Sequence, residues 1–338
     1  DKYVLPAFDV QVALPKSWCL SDERITGVVD SKFFFGKPVQ GQVTIKALKY
    51  VSTWESFATV TGRLEEGRFA FDLPAAGYVA GTPGAEGAGT VQLKVTVTDD
   101  TGHEESTDQL VTIVSSGLQL KLIPESPALK PGLEQELLIV SQSPEGTPLD
   151  AALQVELSFM ASDGSELSRI DQKVQTQNGL VLFPFTVPEK TQMAIAVARG
   201  SLDGKAEEES LVLNAVYSPG AHFIHLRQKN EGILAVGTNA HFDVFSTSAG
   251  TVYYDVFANG RTLLSKAIDG NLISFTVTPE MSPKAKLVAY KIQPNSEVSV
   301  DVLPFEVELQ TPADLQVTFS AEEVKPGDPV SLNIHSEG

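Results

Sequence analysis

Apolar and polar residues alternate one for one along much of the chain. Phe8, Val10 and Val12 fall on one face of a run, Asp9 and Gln11 on the other. Leu118, Leu120 and Leu122 alternate with Gln119, Lys121 and Ile123, and residues 91–98 read Val-Gln-Leu-Lys-Val-Thr-Val-Thr. A period of two marks a half-buried strand. Such runs are separated by Asp163-Gly164, Asn178-Gly179, Asp203-Gly204, Asn259-Gly260 and Asp269-Gly270. These dipeptides accept the positive φ angles of tight β turns. No stretch of helix length carries an apolar period of 3.6, so the expected fold class is all-β.

The strands recur at a longer interval. FDVQV opens at Phe8, LQLKL at Leu118, HFIHL at His222 and LQVTF at Leu315, which are 110, 104 and 93 residues apart. A turn follows each of the last three openings, as Leu129-Lys130-Pro131-Gly132, Leu234-Ala235-Val236-Gly237 and Val324-Lys325-Pro326-Gly327. Lys-Pro-Gly suits a type II turn, with Pro presetting φ and Gly accepting a positive one. Units of about 100 residues with seven or so short strands have the size of an immunoglobulin-like sandwich. The pattern predicts tandem antiparallel β-sandwich domains over 1–116, 117–217 and 218–309. Residues 310–338 hold the first strands of an incomplete fourth. Two strands alone are marginal in water, so that last segment is expected to pair with another sheet edge or to be mobile. The chain starts at Asp1 without Met or signal peptide. Together with the short last unit, this reads as a piece of a longer multidomain protein.

Composition narrows the partners. The 338 residues carry 25 Lys and Arg against 43 Asp and Glu, a formal charge of −18. That balance argues against nucleic acid and against anionic lipid as partners. No apolar run reaches the roughly 18 residues of a membrane span. A single cysteine, Cys19, allows no internal disulfide and no cysteine-built metal cluster.

Specific motifs add to this. Tyr3-Val4-Leu5-Pro6-Ala7-Phe8-Asp9-Val10 resembles the Tyr-Val-Leu-Pro-x-Phe-Glu-Val opening of the third macroglobulin domain in the α2-macroglobulin and complement thioester-protein family. Phe33-Phe34-Phe35-Gly36-Lys37-Pro38-Val39-Gln40-Gly41 resembles the same domain's aromatic-x-Tyr-Gly-Lys-Pro-Val-x-Gly motif. Tyr217-Ser218-Pro219 with Phe223-Ile224-His225-Leu226 is similar to the junction of the fourth and fifth domains. Pro283-Lys284-Ala285 through Tyr290, then Ser299-Val300-Asp301, is similar to the end of the fifth, and Glu323-Val324-Lys325-Pro326-Gly327 to the start of the sixth. The low cysteine content is similar to that of insect thioester proteins and the lipid-anchored vertebrate branch, and a bacterial source also fits.

The resemblance implies macroglobulin domains three to five plus the start of six, from an extracellular or cell-surface protein (a bacterial envelope protein if prokaryotic). It implies a non-catalytic scaffold that serves protease trapping or innate-immune tagging. The implied partners are neighbouring macroglobulin and thioester domains, with proteases or microbial surfaces as targets. The Gly-Cys-Gly-Glu-Gln thioester motif is absent, since Cys19 is followed by Leu20. No reactive position of the family therefore carries over. A generic adhesion array of immunoglobulin-like domains is the alternative, and an accessory β region of a secreted enzyme is a third class.

Individual residues support no catalytic, cofactor or metal site. Cys19 has no strongly basic surroundings and reads as a half-buried small apolar residue. His222 and His225, three apart on a predicted strand, point to opposite faces, which does not suit a zinc pair. His103, His241 and His335 are isolated. Residues 99–105, Asp-Asp-Thr-Gly-His-Glu-Glu, lack the spacing of a calcium loop and read as a hairpin tip. Glu207-Glu208-Glu209 reads as a charged approach to a strand. The glycine-rich stretch Gly84–Gly89 precedes a strand rather than a helix, so it reads as a loop and not a phosphate cradle. Phe33, Phe34 and Phe35 are the candidate interdomain contact, because period two cannot send all three into one core.

Overall fold

The structure is a computed structural model, and it describes residues 6–80, 89–309, 314–321, 323, 325 and 329–337. The Tyr3–Leu5 end of the opening motif, most of the Gly84–Gly89 stretch and Pro326-Gly327 of the second Lys-Pro-Gly turn lie outside the described residues.

The first eight strands are β1 (Phe8–Ala13), β2 (Trp18–Leu20), β3 (Ile25–Phe33), β4 (Gly41–Tyr50), β5 (Trp54–Arg63), β6 (Arg68–Leu73), β7 (Gly89–Asp99) and β8 (Glu104–Val114). They form sheets β1-β3-β6 and β2-β8-β7-β4-β5 around one apolar core. Next come β9 (Gln119–Pro124), β10 (Glu134–Gln142), β11 (Ala152–Met160), β12 (Glu166–Gln175), β13 (Leu180–Thr186), β14 (Met193–Leu202) and β15 (Lys205–Asn214). These make sheets β13-β10-β9 and β12-β11-β14-β15 around a second core. The third set is β16 (Ile224–Gln228), β17 (Asn239–Ser246), β18 (Val252–Ala258), β19 (Arg261–Ile268), β20 (Leu272–Thr276), β21 (Lys284–Ile292) and β22 (Val298–Glu306). Its sheets are β16-β17-β20 and β19-β18-β21-β22, again around their own core. Finally β23 (Asp314–Phe319) pairs with β24 (Leu332–Glu337). The fold is all-β, and no α-helix occurs among the described residues.

The period-two pattern produces these cores directly. In β7, Val91, Leu93, Val95 and Val97 are buried to 0%, with polar residues between them. Each such side chain contributes roughly 1.5–3 kcal/mol on leaving water. Turn chemistry also follows sequence: Asn178-Gly179 and Asn259-Gly260 have positive φ at both residues, the geometry of a type I′ hairpin.

One ladder departs from the antiparallel expectation. β2 runs parallel to β8, with Trp18 opposite Thr112. The other two sandwiches repeat this as parallel bridges, Leu129 with Ala215 and Leu234 with Val307. In each unit the chain leaves its first strand, crosses to the other sheet and pairs with the last strand, which covers an otherwise open edge. The first two units also share finer detail. Ser31 and Ser141 are both fully buried. Their N–H groups donate to Gly67 O and Gly179 O at 2.7 and 2.8 Å. Both glycines sit at positive φ beside a proline.

A candidate functional site at the joint of the second and third sandwiches

The most organised polar cluster among the described residues lies between two sandwiches, and local turn chemistry builds it. After β9 the chain passes Glu125 and enters Lys130-Pro131-Gly132. Leu133 N–H donates to Lys130 O at 3.1 Å and Gly132 sits at φ 83°, placing Pro131 and Gly132 where a type II turn needs them. Lys130 N–H is held by Gln135 Oε1 at 3.0 Å. On the far side, β16 presents Ile224, His225 and Leu226, all buried. Ile224 and Leu226 enter the third core, and His225 faces the second sandwich. Leu226 N–H donates to Asp301 Oδ2 at 2.8 Å, which fixes that carboxylate on β22.

Four charged groups surround the His225 ring. Lys130 Nζ is 2.6 Å from Asp301 Oδ2 and 3.1 Å from His225 Nδ1. His225 Nε2 lies 3.0 Å from Glu125 Oε2, off the line of its N–H, and Nδ1 is 3.4 Å from Asp301 Oδ2. Arg227 grips Glu125 through Nε at 2.6 Å and Nη2 at 3.1 Å, a bidentate geometry that adds direction as well as energy. Arg227 Nη1 also lies within 3.4 Å of Glu134 and Glu136. Phe245 floors the cluster, with the Arg227 guanidinium 5.0 Å above its ring.

Burial and pairing compete at each group. Burial would raise the Glu125 carboxyl, but the adjacent His225 ring and the hydrogen bonds from Arg227 outweigh it and hold the group at about 2. Burial likewise works against Asp301, and His225, Lys130 and the Leu226 N–H bring it below its ordinary value. Lys130 is pushed down by burial, against the pull of Asp301. His225 is raised: burial and the neighbouring Lys130 charge oppose its protonation, and Asp301 and Glu125 overcome both.

A smaller pair borders the same joint. His222 Nδ1 is 3.0 Å from Glu297 Oε2, and Ser218 Oγ donates to the other Glu297 oxygen. Ser218 and His222 hold Glu297 at about 2. These groups line a cleft of about 260 Å³ with Lys130, Tyr217 and Ser299. The joint between the first and second sandwiches is different in kind. There Glu145 accepts from Ser17 N–H and Oγ–H at 2.9 and 2.7 Å, and Lys205 pairs with Asp22, all at the surface.

The residues singled out from sequence fall elsewhere. Phe33 is half-buried against the first core, edge-on to Phe8 at 5.7 Å and stacked on Phe35 at 5.3 Å. Phe34 and Phe35 are 68% and 77% exposed at the turn after β3. Cys19 is buried in β2, and burial raises its thiol pKa. Asp99 caps its hairpin tip by accepting from Thr101 and His103 N–H groups. No group of three metal-ligating side chains forms among the described residues. His222 lies before β16 rather than on it, and each of His222 and His225 has a carboxylate partner. Sequence reasoning missed the role of His225, Lys130, Arg227, Glu125 and Asp301.

Comparison with known proteins gives a consistent picture. Residues 2–99 match the macroglobulin domain MG3, and residues 224–338 match the alpha-2-macroglobulin bait region domain. Complement C3 from Eptatretus burgeri is 25% identical over 100% of this chain and 22% of its own length. Thioester-containing protein 1 allele S1 from Anopheles gambiae is 24% identical over 98% of this chain and 24% of its own length. The chain thus spans about a quarter or less of the curated relatives it matches. Trypsin-activated alpha-2-macroglobulin from Escherichia coli aligns with a TM-score of 0.40 at 13% identity, over 99% of this chain and 26% of that one.

Proposed function

The chain belongs to the macroglobulin and complement family, and from that premise we propose that it is a non-catalytic scaffold portion of a thioester-type protein. Its sandwiches, over 1–116, 117–217 and 218–309, hold neighbouring macroglobulin and thioester domains in place. The strands after 310 open a further sandwich. The whole protein then traps proteases or tags targets in innate immunity, outside the cell or at its surface. No helix among the described residues is long and apolar enough to cross a membrane.

The observation that carries this reading is the buried charged clamp between the second and third sandwiches. Such a clamp fixes orientation, which is what a scaffold must do. The exposed Phe34 and Phe35 suit docking to a neighbouring domain. The single thiol is buried, has its pKa raised and lacks the thioester sequence around it.

Mass spectrometry after methylamine treatment, and after incubation with a broad-specificity protease, tests the assignment. The expected result is no adduct and no covalent complex. A methylamine adduct, or a protease bound covalently to Cys19 or any other residue, overturns it.

A further inference from the structure

We propose that His225 makes the joint between the second and third sandwiches a pH-sensitive latch, which tightens when its ring takes up a proton in mildly acidic surroundings. The ring is 2% exposed and sits on the boundary itself. From the second sandwich it meets Glu125 and Lys130, with Glu134 and Glu136 behind them, bound through Arg227. From the third it meets Asp301 on β22 and shares β16 with Arg227. β17 supplies the Phe245 ring, 6.0 Å away, and Asp243, which is paired with Lys229.

Those groups set the sign. The second sandwich brings three carboxylates and one ammonium, an excess of negative charge. The third brings Arg227 and Lys229 against Asp301 and Asp243, and is balanced while the imidazole is neutral. Protonation gives the third face a positive excess opposite a negative one. In the neutral form Lys130 donates to Nδ1, so the ring proton sits on Nε2 beside Glu125. The charged ring carries a proton on each nitrogen, one facing Glu125 and one facing Asp301; it gives up the bond from Lys130 and meets the repulsion of that ammonium, which the two carboxylates outweigh, while Lys130 keeps Asp301.

Histidine is the ordinary side chain that titrates between about pH 5 and 8, and the carboxylates at Glu125 and Asp301 stay ionised through that range. The docked ring is raised above its usual 6.5. The stabilisation is therefore complete below the undocked value and is lost as pH rises through the docked one.

Amide exchange of the full chain tests this through two reporters. Leu226 N–H donates to Asp301, and Glu136 N–H donates to Glu125 Oε2 at 2.9 Å. Their protection factors, corrected for intrinsic exchange, are expected to be several-fold higher at about pH 5.5 than at about pH 8, since each pK unit of elevation is worth about tenfold. His225→Gln is expected to abolish the difference. Equal or greater protection at the higher pH overturns the latch, as does a pH difference that survives in His225→Gln. Should that variant misfold, the imidazole titration of the unaltered chain by NMR decides. A His225 midpoint above 6.5 supports the latch, and one at or below 6.5 overturns it.

Discussion

Lys130 and Asp301 meet at 2.6 Å although 171 residues separate them, and their side chains are only 6% and 16% exposed. Each comes from a different sandwich, so the contact exists only when the two units hold one orientation. A buried pair of this kind is weak evidence for added stability, because desolvation offsets much of the attraction. Its stronger consequence is for geometry: any misdocked arrangement leaves a charge buried without its partner.

Lys130→Met is accordingly expected to destabilise the joint by roughly 2–3 kcal/mol, because Asp301 stays buried without its ammonium. The double variant Lys130→Met with Asp301→Leu is expected to recover most of that loss. Denaturant unfolding of both variants checks it. A double variant as unstable as the single one contradicts the argument.

Acid unfolding follows from Glu125. Its folded value of about 2 lies below the ordinary 4.5, so the unfolded chain binds the proton first as pH falls. The contribution is intact above about pH 4.5 and disappears as pH drops toward 2. Glu125→Gln is expected to flatten that part of the stability profile. The measurement is denaturant midpoint against pH for both proteins.

Two glycines separate strain from crowding. Gly36 sits at φ 88° with nothing within 4 Å of an added Cβ, so Gly36→Val is expected to cost roughly 1–2 kcal/mol from backbone strain alone. At Gly41, in the end pair of the β4–β7 ladder, an added Cβ would lie 2.1 Å from the backbone oxygen of Thr98. Gly41→Ala is expected to cost more, roughly 3 kcal/mol or above. Thermal melts of the two variants give the order, and a milder Gly41→Ala contradicts it.

The strands and turns were legible because period-two burial and Asx-Gly dipeptides act locally. Val91, Leu93, Val95 and Val97 alternate with polar residues in the sequence as they do in the sheet. The clamp was not legible because its logic is tertiary. In β16, Ile224, His225 and Leu226 are buried in succession; period two assigns the outward residue to solvent, and another sandwich covers it instead. Lys130 reads as part of a turn, which it is, but nothing local shows where its side chain ends. The spacing of His222 and His225 drew attention to metal and away from their carboxylates, Glu297 lying 75 residues beyond His222 and Glu125 lying 100 before His225. The parallel pairing of β2 with β8 is hidden for the same reason, since Trp18 and Thr112 are distant in sequence.

The central claim is that the second and third sandwiches act as one strut, while the first meets the second without a buried charged cluster among the described residues. Pulsed electron resonance between spin labels on the outer strands of each sandwich measures this directly. The expected result is one narrow distance distribution between the second and third sandwiches and a broader one between the first and second. Lys130→Met is expected to widen the former. A broad distribution between the second and third sandwiches in the unaltered protein would contradict the account.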